Sequence, residues 1–362
     1  MNQINLDGLD MENIKLEVNI GNLKLKNPII CGSGEHLIEE AGILKALESG
    51  ASMVVAKSAN ENESARKQLH KTDYAMIDQD INKVDWDKRG KRDLSLFGRS
   101  GLVGEETESW LQKIALFDRQ ARKYDSYVAV SLIPARIDCL IKHAELTQTL
   151  GIRVLELNIG APHGTETQDS IQLILQSEKI KEVVKSVRRV FHGHLLVKMP
   201  GMSENVSQLS STAKQSGADA VVMMGRMMAM IPDLKSMKPI LGTNGAYGGR
   251  WALPITCRWL SESRQLLGGD YPLIGTNGAR NGYDVARMML AGASAVELTS
   301  IVFSQGFEVV ESSIKELQSY LEKKKINAKN LIGISSDQVQ SYSEQNVNSE
   351  YWKRFVPEDS LN

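Results

Sequence analysis

Gly292-Ala293-Ser294-Ala295-Val296-Glu297-Leu298 recurs in kind three times earlier in the chain. The other copies are Gly50-Ala51-Ser52-Met53-Val54-Val55, Gly151-Ile152-Arg153-Val154-Leu155-Glu156-Leu157 and Gly217-Ala218-Asp219-Ala220-Val221-Val222. Each follows an amphipathic helical stretch. A glycine ends the helix, a tight turn follows, and a continuous apolar run then reads as a parallel strand covered on both faces. Working outward from these copies, strands are expected near residues 28–32, 53–57, 127–132, 153–158, 194–199, 220–224, 272–275 and 295–299. Helical patterns intervene, for example over 106–123, 171–190 and 306–323. Eight βα units in one chain predict an α/β fold, a (β/α)8 TIM barrel. The alternative, a doubly wound sheet, needs an early GxGxxG after a strand, and Cys31-Gly32-Ser33-Gly34-Glu35-His36 does not supply it.

The barrel is expected over residues 1–325. Within it, 59–104 is long, polar and charged, as a lid or inserted loop would be. Residues 326–362 form a polar C-terminal extension, expected on the surface or at a subunit contact. The net charge of −1 provides no global field for nucleic acid or an anionic membrane, so neither is expected as a partner. Cys31, Cys139 and Cys257 lie far apart with no CxxC pair, which argues against a metal or iron–sulfur site and fits a reducing cytoplasm. The first 17 residues lack a signal-peptide core, and no span approaches transmembrane length.

Active sites of such barrels gather at the C-terminal strand ends. Here those ends carry Gly32-Ser33-Gly34, Lys57-Ser58, Ser131, Asn158, Lys198, Met223-Met224-Gly225-Arg226, Gly275-Thr276-Asn277-Gly278 and Thr299-Ser300. Two lysines, small side chains and glycines on one face suit a flat, anionic ligand. The loops after strands seven and eight are the fold's habitual phosphate site, because glycine lets backbone N–H groups approach the anion. Tyr247-Gly248-Gly249 adds a third such loop. The plainer reading is that these glycines end strands and the lysines snorkel at a barrel rim.

Taken in order, these elements resemble the FMN-binding dihydroorotate and dihydropyrimidine dehydrogenase family over roughly residues 15 to 325. The matching elements are Asn27-Pro28 with Gly32-Ser33-Gly34, Ala56-Lys57-Ser58, Glu156-Leu157-Asn158, Val197-Lys198, Gly248-Gly249 with Pro254, Ile274-Gly275-Thr276-Asn277-Gly278 and Gly292-Ala293. The resemblance implies FMN as cofactor. Gly32, Ser33, Lys57, Ser58 and Asn158 would line the isoalloxazine, and Lys198 would reach the flavin and its ribityl chain. Gly249, Asn277, Gly278, Thr299 and Ser300 would hold the phosphate, with Ser131 and Gly248 completing the cofactor set. A lysine beside the flavin would stabilise its anionic reduced form. The resemblance also implies a homodimer and leaves a separate electron donor or acceptor open.

The departures bear on the reaction. The active-site loop reads Glu156-Leu157-Asn158-Ile159-Gly160-Ala161-Pro162-His163-Gly164, with Ala161 where the family carries its Cys or Ser base. Alanine cannot move a proton. His163 is the expected substitute, acting with Lys57 and Asn158 as the catalytic set; Tyr247 and Ser100 are weaker candidates. Gly98 stands where an amide recogniser would be, and Met224-Gly225-Arg226 replaces another. Arg99, Ser100, His163 and Arg226 are therefore the expected substrate contacts, the arginines suited to a carboxylate. Met223, Met224, Met227, Met228 and Met230 read as irregular core filling, with an adaptable substrate wall as the alternative. The expected function is an FMN-dependent oxidoreductase moving a hydride between flavin N5 and a C–C or C–N bond of a small, polar, anionic substrate. Two other readings are oxidation of dihydropyrimidine or dihydroorotate with His163 as base, and a flavin-binding subunit without turnover.

Overall fold

The computed structural model describes residues 14–86, 93–160, 177–201, 203 and 205–361. Eight strands close into a parallel barrel: β1 (Ile29–Cys31), β2 (Met53–Val55), β3 (Tyr127–Leu132), β4 (Val154–Asn158), β5 (His194–Lys198), β6 (Ala220–Met223), β7 (Leu273–Thr276) and β8 (Ala295–Leu298). They pair in chain order, and β8 returns to β1. Helices follow them as α1 (Glu40–Glu48), α2 (Thr107–Ala121), α3 (Ile137–Thr149), α4 (Ser177–Val190), α5 (Val206–Gln215), α6 (Leu253–Leu267), α7 (Gly282–Leu290) and α8 (Glu308–Lys324). The chain is thus a (β/α)8 barrel.

The repeated glycine explains how each unit turns. Gly50, Gly151, Gly217 and Gly292 all have positive φ, between 70° and 121°, immediately after α1, α3, α5 and α7. Any other residue would be strained there. The strands that follow are buried on both faces, as continuous apolar runs require. A hairpin, Val18–Ile20 with Leu23–Leu25, precedes β1 and meets the N-terminal end of β5, where His194 Nε2 lies 2.6 Å from the Ile20 carbonyl. The opposite rim is thereby left for the site.

Above that rim stands a five-stranded antiparallel sheet. Asp73–Ile77, Lys83–Val84 and Ser95–Arg99 come from the connection between β2 and α2, inside the segment expected as a lid. Met227–Ala229 and Gly245–Gly248 come from the connection between β6 and α6. The two halves join where Gly245–Gly248 pairs with Ser95–Arg99. Ala75, Ile77, Phe97, Ile231 and Ile240 form a small apolar core of its own beneath the sheet.

After α8, Ala328 and Leu331 are buried, and Arg264 of α6 grips Asp337 through two hydrogen bonds of 2.7 and 2.9 Å. Beyond this point Tyr342, Val347, Trp352 and Phe355 are exposed. No helix among the described residues is long and apolar enough to cross a membrane.

An ion pair between a buried carboxylate and a partly exposed guanidinium fastens the second to fourth units. Asp118 of α2 is 2% exposed; it accepts from the Val128 N–H of β3 at 2.9 Å and from Arg153 Nε and Nη2 at 2.9 and 2.7 Å. Removing the carboxylate leaves the buried Val128 N–H without its acceptor, while Arg153, 27% exposed, keeps the Ser126 carbonyl. Asp118→Ala is expected to cost about 2 kcal/mol in reversible urea unfolding; a loss below about 1 kcal/mol, the range of an exposed pair, would contradict this reading.

Candidate active site

The barrel rim and the sheet enclose a cavity of about 710 Å³, within the range of small-ligand and cofactor sites. Of the residues expected from sequence, Ser33, Lys57, Ser58, Asn158, Lys198, Asn277, Gly278, Thr299 and Ser300 line it, and so do Arg99, Ser100 and Arg226. Gly249 instead lines a narrow adjoining recess with Gly278 and Ser300. Gly32, Gly248 and Ser131 stand behind the wall. A side chain at Gly32 would collide with the Thr299 hydroxyl, and one at Gly248 would come within 2.8 Å of Asn277 Oδ1. Ala161 and His163 lie outside the described residues.

On the β1–β2 side, Lys57 Nζ meets Glu35 Oε1 at 3.1 Å, both side chains being largely buried. Burial pulls the lysine below its usual range, and the neighbouring Glu35 carboxylate offsets part of that fall. For Glu35, burial pushes upward, but Lys57 and hydrogen bonds outweigh it and hold the carboxyl below its usual range. Those bonds come from the Tyr74 hydroxyl to Oε2 at 2.7 Å and from the Gly101 N–H to Oε1 at 2.9 Å. Glu35 therefore ties a barrel lysine to two points of the covering segment. Nearby, His36 is wedged against Phe303, and burial pushes its pKa down to about 3, so its imidazole is neutral.

At the floor, Lys198 Nζ lies 3.0 Å from Glu156 Oε2 and 2.7 Å from Glu297 Oε2. All three side chains are buried. A chain of hydroxyls runs from here to the rim: Ser131 Oγ donates to Glu156 Oε1 at 2.9 Å, and Ser58 and Ser33 follow at 2.9 and 3.2 Å. Each hydroxyl has one proton. Since that of Ser131 goes to Glu156, Ser58 donates to Ser131 and Ser33 to Ser58.

The roof carries the arginines. Arg226 donates to Ser100 Oγ at 3.4 Å, its guanidinium lies 5.9 Å from the Tyr74 ring centre, and its buried Nη1 has no hydrogen-bond partner among the described residues. Arg99 lies 3.6 Å from Asp73 and is partly exposed. Asn277 Oδ1 is likewise buried and, among the described residues, without a hydrogen-bond partner. Of the methionines, Met223 is core, Met224 and Met228 line the cavity, and Met230 is exposed.

A family model for dihydroorotate dehydrogenase matches residues 89–321, well over half of the chain. The chain belongs to the dihydroorotate dehydrogenase family. Dihydroorotate dehydrogenases are FMN-dependent oxidoreductases acting on CH–CH groups, so this chain is an oxidoreductase of that type. It is similar to the dihydroorotate dehydrogenase B (NAD(+)) catalytic subunits of Pyrococcus abyssi and Parabacteroides distasonis. The first is 26% identical, covering 88% of this chain and 99% of the relative, and the second 27% identical, covering 80% and 88%. The subunit of the same name from Saccharolobus solfataricus is 33% identical over 51% of this chain and 61% of its own length.

Against that family background, sequence reasoning missed three groups at the cavity: Glu35, Tyr74 and Glu297. Glu297 left a signal, a carboxylate inside an otherwise apolar strand. Tyr74 left none, since only the folded sheet brings it over the rim. Glu35→Ala is expected to strand Lys57 and lower stability by about 3 kcal/mol, and to speed hydrogen exchange over residues 73–77. Unchanged exchange there would refute the tie between barrel and sheet.

Proposed function

We propose that the chain holds FMN in this cavity and oxidises or reduces a small anionic substrate against it. The observation that carries the reading is the wall itself. Strand-end residues of β1, β2, β4, β5, β7 and β8 converge on one cavity, and buried polar atoms of its lining, among them Arg226 Nη1 and Asn277 Oδ1, lack hydrogen-bond partners among the described residues. Buried groups of this kind are normally satisfied, and a polar ligand would satisfy them. FMN supplies, at its N5, the site that gives or takes a hydride. Ser33, Ser58, Lys57, Asn158 and Lys198, backed by Gly32 and Ser131, would contact its ring system. Gly248, Gly249, Asn277, Gly278, Thr299 and Ser300 would hold its phosphate end.

Arg226, with Arg99 and Ser100, would receive the substrate carboxylate. Lys57, kept in place by Glu35, would orient the substrate, and Asn158 would bond to it. His163 is the proton-transferring group we assign in place of the missing base at Ala161. The 59–104 segment acts as the cover of a barrel spanning 1–325, and 326–362 as a separate extension. We also propose a cytoplasmic homodimer. The relatives' name, catalytic subunit of an NAD(+) enzyme, supports an electron-carrying partner chain. It also favours a second reading, oxidation of dihydroorotate itself, a small carboxylate that this site would fit.

The absorption spectrum of the purified protein and the mass of its released cofactor test the first point; a colourless protein that takes up no added FMN would end this reading. Anaerobic bleaching by dihydroorotate would favour the second reading. Arg226→Ala is expected to raise KM for the substrate about 10- to 100-fold, the value of one charged hydrogen bond, with the flavin spectrum unchanged. An unaltered KM would remove Arg226 from substrate binding.

A further inference from the structure

Lys198 faces one carboxylate too many. Glu156 of β4 and Glu297 of β8 both reach its Nζ, at 3.0 and 2.7 Å, and the exposures of Lys198, Glu156 and Glu297 are 8%, 0% and 2%. If all three groups were charged, a net negative charge would sit on three buried side chains, where an uncompensated charge is costly. A proton shared onto one carboxylate relieves it. The two acids are not equivalent. Glu156 accepts a hydrogen bond from Ser131 on Oε1, while its Oε2 meets Lys198 as an ion pair only. Glu297 meets Lys198 on Oε2 in the same way, and neither of its buried oxygens accepts a hydrogen bond among the described residues. Hydrogen bonds to a carboxylate favour its charged form, which leaves Glu297 as the proton's place. Among the described residues the other titratable group that faces it is Cys31 of β1, whose thiol is pushed up by burial and by Glu297.

We propose that Glu297 is a proton-carrying group at the cavity floor, and that it takes up a proton from solvent to offset the negative charge of reduced FMN. It rests on the FMN reading above, except for its first test. Burial acts in the same sense: it pushes the Glu297 carboxyl upward, Lys198 opposes this and Glu156 adds to it, giving a value of about 8. At neutral pH the floor is then a Lys198–Glu156 ion pair beside a neutral acid. As pH rises through that range Glu297 ionises, the floor turns negative, and it resists a further negative charge. In this range, were bound FMN to receive a hydride, with its two electrons and one proton, the Glu297 carboxylate would take a second proton from solvent. Lys198, read from sequence as the stabiliser of anionic reduced flavin, is by this account already occupied, and Glu297 decides how much of its charge the cofactor meets.

Glu297→Gln tests this with two readouts. In protein stripped of FMN, thermal midpoints are followed from pH 5 to 10. Glu297 binds its proton more tightly when folded, so its contribution to stability is complete below the ordinary carboxyl range and is lost as pH rises through about 8. The wild-type midpoint should therefore fall relative to the variant across that interval, and parallel curves would overturn the proposal. In FMN-loaded protein, wild type and variant should share one flavin midpoint potential near pH 6, with the variant progressively easier to reduce above pH 8. A pH-independent difference would also overturn it. If FMN fails to bind, the function proposed above falls while the first readout still decides the proton. If the variant does not fold, infrared spectra of wild-type protein with labelled glutamate replace it. A protonated-carboxyl band at pH 6 that is lost by pH 10 supports the proposal, and its absence at pH 6 refutes it.

Discussion

A closed ring of eight parallel strands has no edge, and that closure organises everything else in the molecule. Every backbone N–H and C=O of the ring can be paired, so the strands can be apolar on both faces. Parallel direction then turns all eight C-terminal ends to one rim. A side chain that would be costly inside the ring is tolerable there, because solvent or a ligand can reach it. Lys57, Asn158, Lys198 and Thr299 all sit at that boundary, one or two residues from fully buried neighbours.

Such a scaffold is legible in a sequence for a simple reason. Its strands are short apolar runs, its helices end in glycine, and both signals are local. The four glycines that open the repeats adopt the positive φ that their pattern implied, and the rim residues follow from strand ends by counting. The cover over the rim is different. Its register depends on Ser95–Arg99 finding Gly245–Gly248 some 150 residues later, and no local periodicity records that pairing. Tyr74 and Glu35 belong to the same class, since their contact crosses from cover to barrel. Glu297 was visible in the strand but could not be given a role until Lys198 and Glu156 stood beside it.

The cavity is electrically graded from roof to floor. Arg226 keeps a guanidinium without an ion-pair partner among the described residues. Lys57 has its charge matched by Glu35, and Lys198 is over-matched by two acids. A small anion is therefore drawn to the roof, while the floor offers little net attraction. The gradient separates two tasks that a uniformly positive pocket would merge, holding a substrate and setting the charge around a cofactor.

The cover has a mechanical consequence of its own. Its two halves spring from the β2 and β6 ends, which are opposite points of an eight-strand ring, and they are stitched by backbone pairs from Leu96 to Gly98 and from Ala246 to Gly248. An arch standing on two piers does not swing as a door does on one hinge. The two halves are held to each other as well as to the ring, so a strain at one pier is carried to the other through the shared backbone pairs.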